Sequence, residues 1–108
     1  MKIKPGVDII GLHPCMRRVL KAADSIWSAY GQELVVTSGL DGEHGKWSWH
    51  GYGCAVDLRT RYFAGGEIAT VADDLRAVLD YPYQVVVKPT HIHVEFEYEA
   101  ASEMWGTS

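Results

Sequence analysis

Two stretches of the chain place apolar residues three or four positions apart, and short apolar runs lie between and after them. The first stretch should begin near Pro14, which suits the first turn of a helix, and end near Gly31. The second spans about 66 to 80. Helices and strands are therefore mixed, and the last two apolar runs resemble a hairpin. We expect an α+β fold, with helices packed on one face of a mainly antiparallel sheet.

Four apolar runs are predicted to form strands, and a glycine-rich segment lies between the first two. The loop, residues 39 to 53, holds five glycines, two histidines and two tryptophans with no period of 2 or 3.6. Loops of this kind on a rigid scaffold often carry sites. The tail after Glu99 is mostly polar, and we expect it to be loose. The predicted strands are 34–38, 54–59, 83–88 and 92–98, with Pro89-Thr90 as the last turn.

Composition narrows the class of protein. A chain of 108 residues with 47% hydrophobic residues suits one compact domain over residues 1–108. The net charge is −4 and the basic residues are dispersed, which disfavours nucleic acid as a partner. The first apolar run, interrupted by Asp8, is too short for a signal peptide or a membrane span, so we expect synthesis in the cytoplasm. Cys15 and Cys54 are expected to be small buried residues.

Histidines concentrate in two short segments, and the second of them has strand character. In His91-Ile92-His93-Val94-Glu95 the side chains should alternate. The odd-numbered positions then place two imidazoles and a carboxylate on one face, opposite an apolar core face. Burying such a polar set without a purpose is costly. We therefore expect it to line a surface or a cleft.

The first segment, residues 48 to 57, reads SWHGYGCAVD. Alternation places Gly53, Ala55 and Asp57 on one face, where the two small residues leave room beside the carboxylate. Cys54 would face away, and His50 precedes the strand within the glycine-rich loop. Two imidazoles and one carboxylate with an open fourth position are typical of a catalytic zinc site. The two segments together predict one zinc ion, bound by His50, Asp57 and His93.

These residues resemble a known family of zinc peptidases. The first segment matches Ser-x-His-x-x-Gly-x-Ala-x-Asp, and THIHVEF supplies the downstream His-x-His. Both are similar to D-Ala-D-Ala carboxypeptidases and dipeptidases and to phage L-alanyl-D-glutamate endolysins, with hedgehog domains sharing the metal framework. The resemblance covers roughly residues 34 to 97. It implies a small phage- or prophage-type member that could act at the cell wall after phage-type release.

The resemblance implies a role for each residue. His50, Asp57 and His93 would bind zinc, and Ser48 would support the first segment through hydrogen bonds. His91 would stand beside the metal and stabilise the oxyanion of a tetrahedral intermediate. The remaining candidates are His44 at the cleft rim and Arg59 or Arg61 as partners for substrate carboxylates.

The implied reaction is hydrolysis of a peptidoglycan stem peptide. Zinc lowers the pKa of its bound water and polarises the scissile carbonyl, so that water can attack an amide near neutral pH. A carboxylate must then take a proton from that water and pass it to the leaving amine. The bond cleaved would be of the D-Ala-D-Ala or the L-Ala-D-Glu type.

The chain departs from the family at the expected general base. Relatives carry Glu or Asp shortly before the last zinc-binding histidine, whereas this stretch begins with Lys88 and holds no carboxylate. A lysine cannot replace an ionised carboxylate. The base could come from elsewhere, with Glu95 or Glu43 as candidates. Alternatively, the chain is a zinc-binding pseudoenzyme or assembly module, or Lys88 is an engineered substitution.

A second departure concerns specificity. Many relatives carry an arginine shortly after the serine that corresponds to Ser38, where it holds the substrate carboxylate, but Leu40 stands nearby here. This favours an endopeptidase, or another cut in the stem peptide, over a carboxypeptidase. The leading hypothesis is therefore a zinc peptidase acting on peptidoglycan, with the non-catalytic zinc module as the alternative.

Overall fold

The computed structural model describes residues 1–7, 9, 14–39 and 55–96, and these form two helices and five strands. The two helices pack on a mainly antiparallel sheet, which confirms the expected α+β class. The helices and strands, in chain order, are β1 (Lys2–Ile3), α1 (Pro14–Ala29), β2 (Val35–Ser38), β3 (Ala55–Arg59), α2 (Glu67–Val78), β4 (Tyr83–Val87) and β5 (His91–Phe96).

The strands form one sheet in the order β1-β2-β3-β5-β4. β2 with β3, β3 with β5, and β5 with β4 are antiparallel, whereas β1 runs parallel to β2. Sequence reasoning did not anticipate β1, because two residues are too few to show any alternation. β3 and β5 are neighbours in this sheet, so the strand that contains Asp57 lies beside the strand that contains His91 and His93.

The first helix begins at Pro14 and ends at Ala29, close to the predicted bounds. Gly31 follows with φ of +74°, a left-handed conformation that glycine adopts without steric cost. The apolar face of the helix is buried, and the indole of Trp27 donates a hydrogen bond to the carbonyl of Arg59 at 3.1 Å. This contact ties α1 to the end of β3. The buried residues of the helix are Met16, Val19, Leu20, Ala23 and Trp27.

The second helix buries Val71, Ala72 and Leu75 against the sheet. Val78, which the periodicity places on the same face, is instead 47% exposed. The helix ends at this residue, and the extended backbone of Leu79 turns that side chain into the core. At 16 and 12 residues, neither described helix is long and apolar enough to cross a bilayer.

The core lies between the helices and one face of the sheet. The helix residues named above pack with Leu34, Phe63, Leu79 and one set of alternating strand residues. No described helix covers the opposite face. The strand residues of the core face are Val36, Val56, Leu58, Val85, Ile92, Val94 and Phe96.

Candidate metal centre

The last strand, β5, has one apolar and one polar face, as the sequence predicts. Ile92, Val94 and Phe96 are at most 4% exposed and belong to the core. His91, His93 and Glu95 alternate with them and are partly exposed on the helix-free face. The polar set therefore lies on the helix-free side of a strand that is paired on both edges.

The neighbouring strand places Asp57 directly beside His93. The two residues are register partners in the β3–β5 ladder. Nδ1 of His93 lies 2.8 Å from Oδ1 of Asp57, and both side chains are largely buried, at 18% and 17% exposed. Two residues that are 36 positions apart in the chain therefore meet in one hydrogen bond.

Glu95 completes a chain of three side chains. Its Oε1 lies 3.2 Å from Nε2 of His93, so the imidazole sits between two carboxylates. The hydrogen bond to Asp57 raises the pKa of His93 above its usual value, and the charges of both carboxylates act in the same direction, against the opposing effect of burial. The surroundings favour a positive charge between Asp57 and Glu95.

His91 lies beside this chain without joining it by a hydrogen bond. Its Nε2 is 3.7 Å from Oδ1 of Asp57, and its Nδ1 is 3.1 Å from the hydroxyl of Thr90. Its side chain is 28% exposed, more than that of His93. The histidine expected next to the metal thus lies next to Asp57 and is the more accessible of the pair.

An irregularity in β2 adjoins Asp57. Val36 pairs with Leu58 and Ser38 pairs with Asp57, so the register shifts at Thr37, as in a β-bulge. The hydroxyl of Thr37 donates to the backbone carbonyl of Asp57 over 3.4 Å. Bulges are enriched next to active sites, where they redirect side chains. Sequence reasoning overlooked Thr37, although its polarity within the run 34–38 was a signal.

Basic residues occupy one end of the polar face. Arg59 on β3 is the register partner of His91, and Lys88 lies across the hairpin, donating its backbone N–H to the carbonyl of His91 at 2.8 Å. Arg59 is partly buried and Lys88 exposed, whereas Arg61 is exposed beyond the strand end. Arg59 on β3, His91 on β5 and Lys88, which directly follows β4, are therefore next to one another, adjacent to the register pair Asp57 and His93.

Several expected site residues lie outside the described residues: His50, Ser48, His44 and Glu43, together with Cys54. Within residues 1–7, 9, 14–39 and 55–96, no set of three or more His, Cys, Asp or Glu side chains is arranged to hold a metal ion. The third predicted zinc ligand, His50, lies outside these ranges. Cys15 is partly buried and packs against the core.

The described part of the site fits the chemistry of zinc. An imidazole nitrogen and a carboxylate oxygen converge, and both are common zinc donors. The far nitrogen of the imidazole meets a carboxylate, which is the usual arrangement around a metal-binding histidine. Asp57 and His93 would hold the ion, with Glu95 behind His93.

Comparison with known proteins does not assign the chain to a family. No protein-family model matches the chain, and a search of curated proteins finds no similar sequence. The resemblance to zinc peptidases remains a prediction that depends on the two sequence motifs.

Proposed function

We propose that this chain is a zinc-dependent peptidase that cleaves peptidoglycan stem peptides. The observation that carries the proposal is the direct contact of Asp57 with His93 on the accessible face of the sheet. Each residue comes from one of the two motifs that resemble the zinc peptidases. A single metal ion can be bound by both residues only if the fold brings their side chains together.

Zinc bound there would polarise the scissile carbonyl and acidify a water molecule. The protein groups have separate tasks. Asp57 and His93, with His50 as the predicted third ligand, hold the cation. His91 lies close to Asp57 and is more exposed than His93, so it can donate a hydrogen bond to a developing oxyanion.

The basic residues near His91 favour an anionic substrate. Arg59 and Lys88 are cationic residues that flank His91, next to the register pair Asp57 and His93. Stem peptides carry free carboxylates, and a guanidinium binds a carboxylate through two parallel hydrogen bonds. In this proposal Arg59 and Lys88 hold a substrate carboxylate while the neighbouring amide is cleaved.

A zinc-binding module without catalysis is the second candidate, and Lys88 favours it. This residue lies opposite His91, in the stretch where relatives carry the general base. Among the described strand residues of the polar face, the carboxylates are Asp57 and Glu95, and both contact His93. A module of this kind would bind zinc and a peptide without hydrolysing it.

Digestion of purified peptidoglycan separates the two candidates. We expect the wild-type chain to release stem-peptide fragments, detected by mass spectrometry, and Asp57→Ala and His50→Ala to abolish the release. Asp73→Ala, which removes an exposed aspartate of α2, is the matched control and should stay active. If fragments appear only with Lys88→Glu, the wild-type chain is the non-catalytic module.

A further inference from the structure

Glu95 is held in a fixed place next to the imidazole of His93. It lies two residues after His93 on the same face of β5, between Ala55 of β3 and Gln84 of β4 in the register. Its side chain is 21% exposed, and Oε1 is 3.2 Å from Nε2 of His93. Pairing on both sides of β5 restricts how far Glu95 can move from the ring.

Each nitrogen of the His93 ring faces a carboxylate, Nδ1 at 2.8 Å from Asp57 and Nε2 at 3.2 Å from Glu95. An ionised carboxylate only accepts hydrogen bonds, so without a metal ion the ring can donate hydrogen to either carboxylate. A cation bound beside Asp57 would use the lone pair of Nδ1, and the ring would then keep its hydrogen on Nε2. Glu95 is the carboxylate that is placed to accept this hydrogen. Its position therefore favours Nδ1 as the nitrogen that binds the cation.

We propose that Glu95 is a positioning residue, which fixes the tautomer and orientation of His93 so that Nδ1, together with Asp57, binds the metal ion. The proposal rests on the zinc site proposed above and assigns Glu95 a different task from the general base. The carboxylate contacts the nitrogen that points away from Asp57, so it lies behind the imidazole rather than across from it.

Zinc affinity of Glu95 variants tests the proposal without measuring activity. Carboxylates behind metal-binding histidines typically contribute about 10–100-fold to affinity. We expect Glu95→Ala to weaken zinc binding by about that factor, measured by competition with a chelator of known affinity. Glu95→Gln should lose less, because its amide oxygen can still accept the hydrogen bond from Nε2.

Glu33→Gln is the matched control for the change in net charge. Glu33 is exposed, and its ion pairs are with Lys2 and the N-terminus, at the β1 edge of the sheet. We expect this variant to bind zinc as the wild type does. Thermal unfolding of every variant shows whether it is folded, and Glu95→Gln preserves the test if Glu95→Ala does not fold.

Nitrogen-15 spectra of His93 provide a second readout, which a merely structural role of Glu95 would not move. In the zinc-loaded wild type we expect a protonated Nε2 and a metal-bound Nδ1. The opposite assignment, or unchanged zinc affinity in both Glu95 variants, overturns the positioning role alone. A wild-type chain without zinc affinity overturns the proposed zinc site as well.

Discussion

The two faces of the central sheet differ in what holds them together. On the helix-covered face, Val56, Leu58, Ile92 and Val94 are fully buried and pack without hydrogen bonds between side chains. On the helix-free face, Asp57, His93 and Glu95 alternate with them along the same strands, and His93 forms a hydrogen bond with each of the two carboxylates. One face contributes stability by removing apolar surface from water. The other face carries polar side chains joined by hydrogen bonds.

Truncation on the core face should have the largest effect. Ile92→Ala should lower the free energy of unfolding by about 3 kcal/mol, because it removes buried methyl groups and leaves a cavity. Urea denaturation checks this value. Val86→Ala is the matched control on the polar face, where Val86 is partly exposed opposite His93, and should cost about 1 kcal/mol or less. Equal losses would show that the two faces do not differ in their contribution to the free energy of unfolding.

Removing the charge of Asp57 should have the next largest effect, and its size should depend on pH. In zinc-free protein, prepared with a chelator, Asp57→Asn should cost about 1–2 kcal/mol at pH 6. The pKa of His93 is raised in the folded chain, mainly by Asp57. The stabilisation linked to that shift is complete below the unfolded value of about 6.5 and is lost as pH rises through the folded pKa.

The loss caused by Asp57→Asn should therefore be smaller at pH 9 than at pH 6. Denaturation of wild type and variant at both values measures the difference. A cost that is the same at pH 6 and pH 9, or larger at pH 9, would rule out the link between Asp57 and the charge of His93.

Thr60 is a polar exception on the core side, and its replacement should stabilise the chain. It follows β3 in the alternation of Val56 and Leu58, is 1% exposed, and its hydroxyl has no hydrogen-bond partner among the described residues. Thr60→Val keeps the shape and removes the buried hydroxyl. We expect the free energy of unfolding to rise by about 1 kcal/mol. A decrease of that size would mean that the hydroxyl has a partner.

An exposed ion pair on α2 should have the smallest effect. Nη1 of Arg76 lies 3.0 Å from Oδ1 of Asp73, a distance close to that between His93 and Asp57, but both side chains are at least 49% exposed. Asp73→Ala should change the free energy of unfolding by less than about 0.5 kcal/mol, because solvent screens the pair. A loss equal to that of Asp57→Asn would show that burial does not make the Asp57–His93 pair more stabilising than the exposed pair.

Local patterns were sufficient to predict most of the fold. The spacing of apolar residues placed both helices to within a few residues, and alternation assigned His91, His93 and Glu95 to one face. The same alternation around Asp57 anticipated that it would share its face with Ala55.

Features that depend on distant parts of the chain were not predictable. The direct pairing of Asp57 with His93 requires β3 and β5 to be neighbours, which no local pattern determines. The register shift at Thr37 depends on how β2 meets β3. The exposure of Val78 follows from where α2 ends, one residue before the chain turns inward. The role proposed for Glu95 depends on its contact with His93, which no local pattern shows.

Titration of the purified chain with zinc, in competition with a chelator, tests the metal centre most directly. We expect the wild type to bind one zinc ion per chain. His93→Ala should weaken that binding by more than the roughly 100-fold that a supporting residue contributes, while Glu33→Gln should leave it unchanged. A wild-type chain that binds no zinc, or a His93→Ala variant that binds it as tightly, would contradict the assignment of this site.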